Sequence, residues 1–353
     1  MTDLIQKQII DNIKQWSNGR KKGPVLATFR VTNICDLKCK FCTAKDEKPL
    51  KDELNIGNYK KLFYYLNKLK VKLCAIVGGG EALCKKDLTL EIIRLIKKYN
   101  MNGWLVTNGV NFDSKSIKEL IRLRFDTILF SIDGADAETH DYLRGKKGCF
   151  NKAVKNMRIF NRLKNGMGSN KPQLKIQMLV TNKNYKQIKE MLYLAKSLKT
   201  DQLILNFLVN HTSECIKLQL DKVETRRLGR KLKELLKDSK NDSFTNFHDF
   251  IEILNGTNLI KNRYNNLESS YCFQPWYHLN VTENGYINFC PELHKWQKDT
   301  IKEKNIKDIW YGKNITNFRN MILNNRLFNM CKKYCNMPIL VENKKILRLI
   351  KNG

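Results

Sequence analysis

The feature that most constrains this chain is an alternation of short apolar runs with amphipathic stretches. The runs are VLATFRV from Val25, LCAIV from Leu73, WLVT from Trp104, TILFSI from Thr127, LKIQMLV from Leu174 and LILNFLV from Leu203. Between them, segments such as NYKKLFYYLNKLK, LEIIRLIKKY and NYKQIKEMLYLAKSL place apolar residues at helical spacing. Short apolar runs separated by crossover helices predict parallel strands with helices packed outside. Six such units are too few for a complete barrel. They fit either a partial (β/α)6, TIM-like barrel or an open doubly wound sheet, both α/β folds, and the repeats leave both open.

Polar motifs punctuate the C-terminal ends of these runs. A cysteine loop follows the first, GGGE (Gly78 to Glu81) the second, TNG (Thr107 to Gly109) the third, and SIDG (Ser131 to Gly134) closes the fourth. Active sites of barrels and open α/β sheets form at this edge, so the shared placement gives the motifs weight that none has alone. Singly, GGGE is also an ordinary strand-to-helix turn, and Ser131 and Asp133 are also plausible helix caps.

The organisation expected is an N-terminal amphipathic helix (1–24), the barrel (25–239), a helical linker (240–266) and a small C-terminal domain (267–353). In the last, CFQPWYHLNVTENGYINFC reads as a β-hairpin turning at Glu283-Asn284-Gly285. No run is long and apolar enough for a membrane span, and the first residues lack a signal-peptide core. A cytoplasmic protein is expected. Eleven cysteines in a reducing compartment point to metal or catalytic use rather than disulfides. The net charge of +31, from 65 Lys+Arg against 34 Asp+Glu, suits an acidic partner, although a merely solvated basic surface would give the same balance.

Cys35, Cys39 and Cys42 are separated by three and then two residues. Three thiolates so close can share one soft metal centre. Structural zinc needs a fourth ligand, which would have to come from elsewhere in the chain; a cubane cluster held by three cysteines keeps one iron open. CxxxCxxC after the first strand, with Phe41 before the third cysteine, resembles the radical S-adenosylmethionine (SAM) superfamily, as do GGGE, SIDG and the six-unit pattern over roughly Val25 to Val209. The resemblance implies that the α/β fold is the partial (β/α)6 barrel, and that Cys35, Cys39 and Cys42 hold a [4Fe–4S] cluster whose open iron is chelated by SAM. It implies further cofactor contacts from Phe41, from Gly78, Gly79 and Gly80, whose backbone can approach the methionine ammonium, and from Glu81, Asn108, Ser131, Asp133 and Arg144, the last resembling an arginine that pairs with the methionine carboxylate. Where related chains commonly carry proline after the glutamate, Ala82 stands here.

Cys272, Cys290, Cys331 and Cys335, arranged as C-x12-G-x4-C, a helical stretch and CKKYC, resemble the Twitch domain, the short form of the SPASM domain, which carries one auxiliary [4Fe–4S] cluster. A four-thiolate zinc knuckle, or a mixed ligand set including His294, is the alternative. Of the remaining cysteines, Cys74 reads as core, Cys84 as near the glycine motif, and Cys149 and Cys215 as bystanders.

The resemblance implies reductive cleavage of SAM to a 5′-deoxyadenosyl radical that abstracts hydrogen from a substrate C–H bond, for dehydrogenation, epimerisation or a related redox change. About 24 residues precede the first strand, too few for a recognition domain. This and the charge favour an anionic small molecule, such as a sugar or nucleotide-linked metabolite, over a peptide to be crosslinked or epimerised. His211 and Tyr277 are weak catalytic candidates. Trp276 and Tyr277, at strand spacing, would put one ring toward the hairpin core and the other toward substrate. An acidic flavodoxin or ferredoxin is the expected electron donor. A nucleic-acid-binding protein with structural metal sites is the alternative of a different class, supported by charge but by no recognition motif.

Overall fold

The computed structural model describes residues 3–208, 212–238, 240–255, 272–290, 298–324, 343 and 346–350. Eight strands follow the order β6-β5-β4-β3-β2-β1-β7-β8. They are β1 (Leu26–Phe29), β2 (Leu73–Ile76), β3 (Asn102–Thr107), β4 (Thr127–Ser131), β5 (Gln173–Val180), β6 (Gln202–Phe207), β7 (His278–Val281) and β8 (Ile287–Asn288). The six expected strands are all present, and they pair in the order of the chain. A doubly wound sheet reverses its strand order at a switch point; no reversal occurs here, so the winding is that of a partial barrel.

The chain separates into two compact units, Met1–Asn33 with Lys48–Trp104 and Asn262–Gly353, and Ile34–Glu47 with Leu105–Lys261. In the first unit β1 pairs in parallel with β2 on one side, Leu26 opposite Leu73, and with β7 on the other, Leu26 opposite His278. The hairpin predicted around Gly285 is β7 and β8, antiparallel with Val281 opposite Ile287. Gly285 itself has φ +92°, the region the turn requires. Helices α1 (Asp3–Ser17), α2 (Ile56–Lys68) and α3 (Lys86–Lys98) belong to this unit. α2 buries Tyr59, Leu62, Phe63 and Leu66, one helical stripe. Against it lies Phe29 of β1, with ring centroids 6.2 Å from Tyr59 and 5.4 Å from Phe63.

The second unit carries β4, β5 and β6 in parallel register, with α4 (Ser114–Arg122), α5 (Ala137–Arg144), α6 (Cys149–Gly166), α7 (Ile188–Ser197), α8 (Ser213–Lys217), α9 (Lys222–Leu235), α10 (Lys240–Phe244) and α11 (Phe247–Asn255). Its core includes three interlocked rings: Phe112 and Phe160 at 5.0 Å, Phe130 and Phe160 at 6.0 Å, both edge-to-face, and Phe112 and Phe130 at 5.7 Å. Gly109, at φ +77°, passes so close that a Cβ would lie 2.5 Å from Phe130. Within the segment expected as a linker, α11 buries Phe247 and Phe250, and Phe250 stacks on Phe207 at 3.8 Å. The Asn246 amide accepts from the Leu205 N–H and donates to its carbonyl. It thereby covers backbone groups of the edge strand β6.

The strand expected over Cys272–Tyr277 is absent. Gln274–Tyr277 form one helical turn with Pro275 at its start, a place that suits a residue without an N–H and with φ already fixed. Trp276 and Tyr277 therefore do not alternate as strand residues. Among the described residues no helix is long and apolar enough to cross a membrane. Truncating Phe160, fully buried in the aromatic trio, is expected to lower the unfolding free energy by about 3–5 kcal/mol, seen as an earlier urea midpoint for Phe160→Ala.

Candidate functional site

The cysteine loop belongs to the second unit. Cys35 is exposed, Cys39 buried and Cys42 half-buried, and none of the three forms a disulfide. Each sulfur faces an N–H donor. The Leu37 amide donates to Cys35 Sγ at 3.5 Å, the Ala44 amide to Cys42 Sγ at 3.4 Å, and Arg144 Nη1 to Cys39 Sγ at 3.8 Å. Burial pushes the Cys39 and Cys42 thiols up, partly offset by Arg144 at Cys39 and by the Ala44 N–H at Cys42. Donors aimed at every sulfur match the needs of negatively charged thiolate ligands. This donor set fits an iron–sulfur cluster.

The end of α5 fixes the loop. Gly145 caps the helix in the left-handed conformation, and a Cβ there would collide with the Lys38 carbonyl. The Lys40 amide donates to the Leu143 carbonyl at 2.9 Å, and Lys146 Nζ to the Asp36 carbonyl at 3.0 Å. Asn108 Nδ2 donates to Asp36 Oδ1 at 2.8 Å, so this predicted cofactor contact holds the loop.

Asp133 and Arg144 meet each other. Asp133 is fully buried; its Oδ1 accepts the Leu179 amide at 2.8 Å, and its Oδ2 lies 2.6 Å from Arg144 Nη2. Burial works against charge on Arg144, but Asp133 and Cys39 outweigh it and raise its pKa. Burial raises the Asp133 carboxyl as well, while Arg144 and the Leu179 N–H oppose the rise. The short contact identifies an ion pair. The Arg144 guanidinium also lies 5.4 Å from the Phe41 ring centroid. Ser131 Oγ accepts from Gln177 Nε2 at 2.8 Å.

His140, Asp141 and Cys149 place ligand atoms within 4.8 Å of one another, yet their protons argue against a metal. His140 Nδ1 accepts the Asp133 amide at 3.0 Å, so the neutral ring carries its proton on Nε2; burial, then Arg144, pushes its pKa down to about 3. Asp141 Oδ1 is already occupied by the Cys149 thiol at 3.1 Å and the Phe150 amide at 2.9 Å. Cys149 and Cys215 are nevertheless closer to the loop than their sequence context suggests. Cys149 packs with Leu37 and Cys39, and the Cys215 thiol donates to the Phe41 carbonyl at 3.4 Å. No local motif marks either one.

In the first unit, Gly78 and Gly79 have φ +82° and +71°. A Cβ on Gly79 would lie 2.6 Å from the Thr32 carbonyl, which also accepts the Gly80 amide at 2.7 Å. These glycines are thus required for packing against the strand-end backbone. Glu81 is buried and caps the following 3-10 turn by accepting the Leu83 amide at 3.2 Å. Two carboxylates that no sequence motif assigned to the site organise the same region. Glu53 Oε1 accepts from Thr32 Oγ1 at 2.9 Å and from the Asn33 amide at 3.0 Å, while Glu283 pairs with Arg30 at 2.9 Å.

Cys272 and Cys290 are half-buried, and neither forms a disulfide. Cys331, Cys335, His211 and His294 lie outside the described residues. Tyr277 is buried, and its hydroxyl accepts from Gln274 Nε2 at 2.6 Å. The neighbouring His278 bridges Gln274 and Thr28, and burial pushes its pKa down to about 4. Both side chains serve the interior of this unit.

Residues 29–195 match the radical SAM superfamily, and residues 272–336 match SPASM, an iron–sulfur cluster-binding domain. The chain is 32% identical over 37% of its length to the sporulation killing factor maturation protein SkfB of Bacillus subtilis, and 28% identical over 52% of its length to the mycofactocin maturase MftC of Mycolicibacterium smegmatis. The matched regions span only 31% and 44% of those relatives' own length. The crystal structure of Streptococcus suis SuiB bound to precursor peptide SuiA superposes with a TM-score of 0.68 at 16% identity, covering 93% of this chain and 73% of that one. Anaerobically purified protein is expected to hold about eight irons and eight labile sulfides per chain, falling to about four of each when Cys35, Cys39 and Cys42 are all changed to Ala. Iron and sulfide assays read both values.

Proposed function

Because the chain belongs to the radical SAM superfamily and carries a C-terminal iron–sulfur domain of the SPASM type, we propose that it modifies a peptide by radical chemistry. SAM with the cluster of the radical SAM domain supplies, on reduction, a carbon radical able to remove hydrogen from an unactivated C–H bond. The outcome is a crosslink, a net oxidation of the peptide, or an epimerisation, which leaves its oxidation state unchanged. The observation that carries the substrate class is the company of the fold: a similar structure holds a precursor peptide, and two curated relatives are maturation proteins. The +31 balance that suited an anionic small molecule is satisfied equally well by an acidic peptide segment.

The chain's own residues have distinct tasks in this reading. Cys35, Cys39 and Cys42 hold the cluster, with the Leu37 and Ala44 amides donating to two of its sulfurs. The glycine turn Gly78–Gly80 and Glu81, together with Asn108 and Ser131, serve the cofactor. Cys272, Cys290, Cys331 and Cys335 hold the auxiliary cluster. Exposed Lys222, Arg226, Arg230 and Lys233 recur at spacings of three and four along α9, a basic face suited to an acidic electron donor such as a flavodoxin or ferredoxin.

The test is an anaerobic assay of the reduced enzyme with SAM and the short peptides encoded beside its gene. Peptide-dependent release of 5′-deoxyadenosine, together with a mass change in one peptide, is expected. If the peptides stay unaltered and 5′-deoxyadenosine rises only with acidic metabolites, the small-molecule reading replaces this one.

A further inference from the structure

The Arg144 guanidinium stands at the meeting point of a cluster ligand and a buried carboxylate. Nη1 is 3.8 Å from Cys39 Sγ and Nη2 is 2.6 Å from Asp133 Oδ2. Asp133 cannot swing away, because its Oδ1 holds the Leu179 amide, its own amide donates to His140, and its carbonyl accepts from Asn184 Nδ2 at 2.8 Å. Nor can Arg144 follow a ligand far. It precedes the left-handed Gly145, packed on the Lys38 carbonyl, and its guanidinium lies near the Phe41 ring. A residue that swung out to bind a substrate carboxylate would need slack on at least one side.

We propose that Arg144 is a positioning residue for the cluster, donating an N–H to the Cys39 thiolate and setting the cluster's reduction potential, with Asp133 as the counter-charge that fixes how much positive charge the cluster senses. The inference rests on Cys35, Cys39 and Cys42 holding that cluster; it does not depend on the substrate. Hydrogen bonds to ligand sulfurs and nearby positive charge stabilise the more reduced, more negative state, so they raise the potential. The guanidinium touches the sulfur directly while the carboxylate sits behind it, so the two charges act with unequal weight. The consequence is a sign rule. Removing the cation must lower the potential, and removing the carboxylate must raise it. A purely architectural pair would not produce opposite shifts.

The experiment is a redox titration of the full-length, anaerobically loaded protein without SAM. Electron paramagnetic resonance follows the signal that is absent from the Cys35→Ala, Cys39→Ala, Cys42→Ala variant. Arg144→Gln is expected to move the midpoint to more negative values, Arg144→Lys to move it less far in the same direction, and Asp133→Asn to move it to more positive values. Midpoints that stay at the wild-type value, or that shift in one common direction, overturn the proposal. An unmoved midpoint in Arg144→Gln with weakened SAM binding would assign the arginine to the cofactor's carboxylate instead. If Arg144→Gln does not load a cluster, the Lys and Asn variants decide by the same opposite-sign criterion. Absence of the signal from wild type would instead overturn the cluster assignment itself, and absence of peptide turnover alone would leave the midpoint test intact.

Discussion

A carboxylate with no exposed surface, paired to an arginine that reaches a cysteine sulfur, is the constraint on which the second unit's site depends. Taking two charges out of water is costly, and such a pair persists only where further hydrogen bonds complete it. Here the Leu179 amide does so, which ties β5 to the end of β4. Breaking a buried pair from one side typically costs roughly 3–5 kcal/mol, so the strand ends, α5 and the cysteine loop are coupled through a single contact. A loop that presents three sulfurs at fixed separations needs such an anchor, since its own backbone has little regular structure.

The first unit reaches a comparable result with different groups. Arg30 and Glu283 join the end of β1 to the turn after β7, and Glu53 gathers Thr32, the Asn33 amide and Lys85. The glycine turn after β2 then lies on backbone that is already fixed from two sides. In both units the strand ends are stiffened by buried charged groups paired within the unit, in keeping with the need to hold reacting groups in place while water is excluded.

Periodicity carried much of this fold in the sequence. The six strands were legible because buried strands and amphipathic helices leave different repeats, but crossover connections suit a doubly wound sheet as well, so the sequential strand order was not. The helical turn at Gln274–Tyr277 was not, since an apolar, aromatic run looks like a strand until Pro275 is weighed against it. The cysteine loop was legible from spacing. The meeting of Asp133 with Arg144 was not, because each residue fitted a ligand contact by itself and nothing local announces that two charges will neutralise each other. Glu53 went unmarked and Glu283 was legible only as a turn residue, because their partners Thr32 and Arg30 are distant in the chain and no motif links them. The substrate class was the least legible. Charge speaks of sign and not of size, so it does not separate a small anion from an acidic peptide.

The parallel pairing of β1 with β7 has a consequence for how the chain is made. Thr28 and its hydrogen-bond partner His278 are 250 residues apart. At ribosomal rates of roughly 5–20 residues per second, one edge of β1 waits on the order of 10–50 s for its neighbour. During that time a buried, apolar strand presents unpaired backbone groups, the configuration most prone to wrong pairing. The C-terminal segment thus completes the barrel's sheet as well as carrying cysteines of its own, and a messenger truncated before residue 278 would leave β1 with one side permanently open.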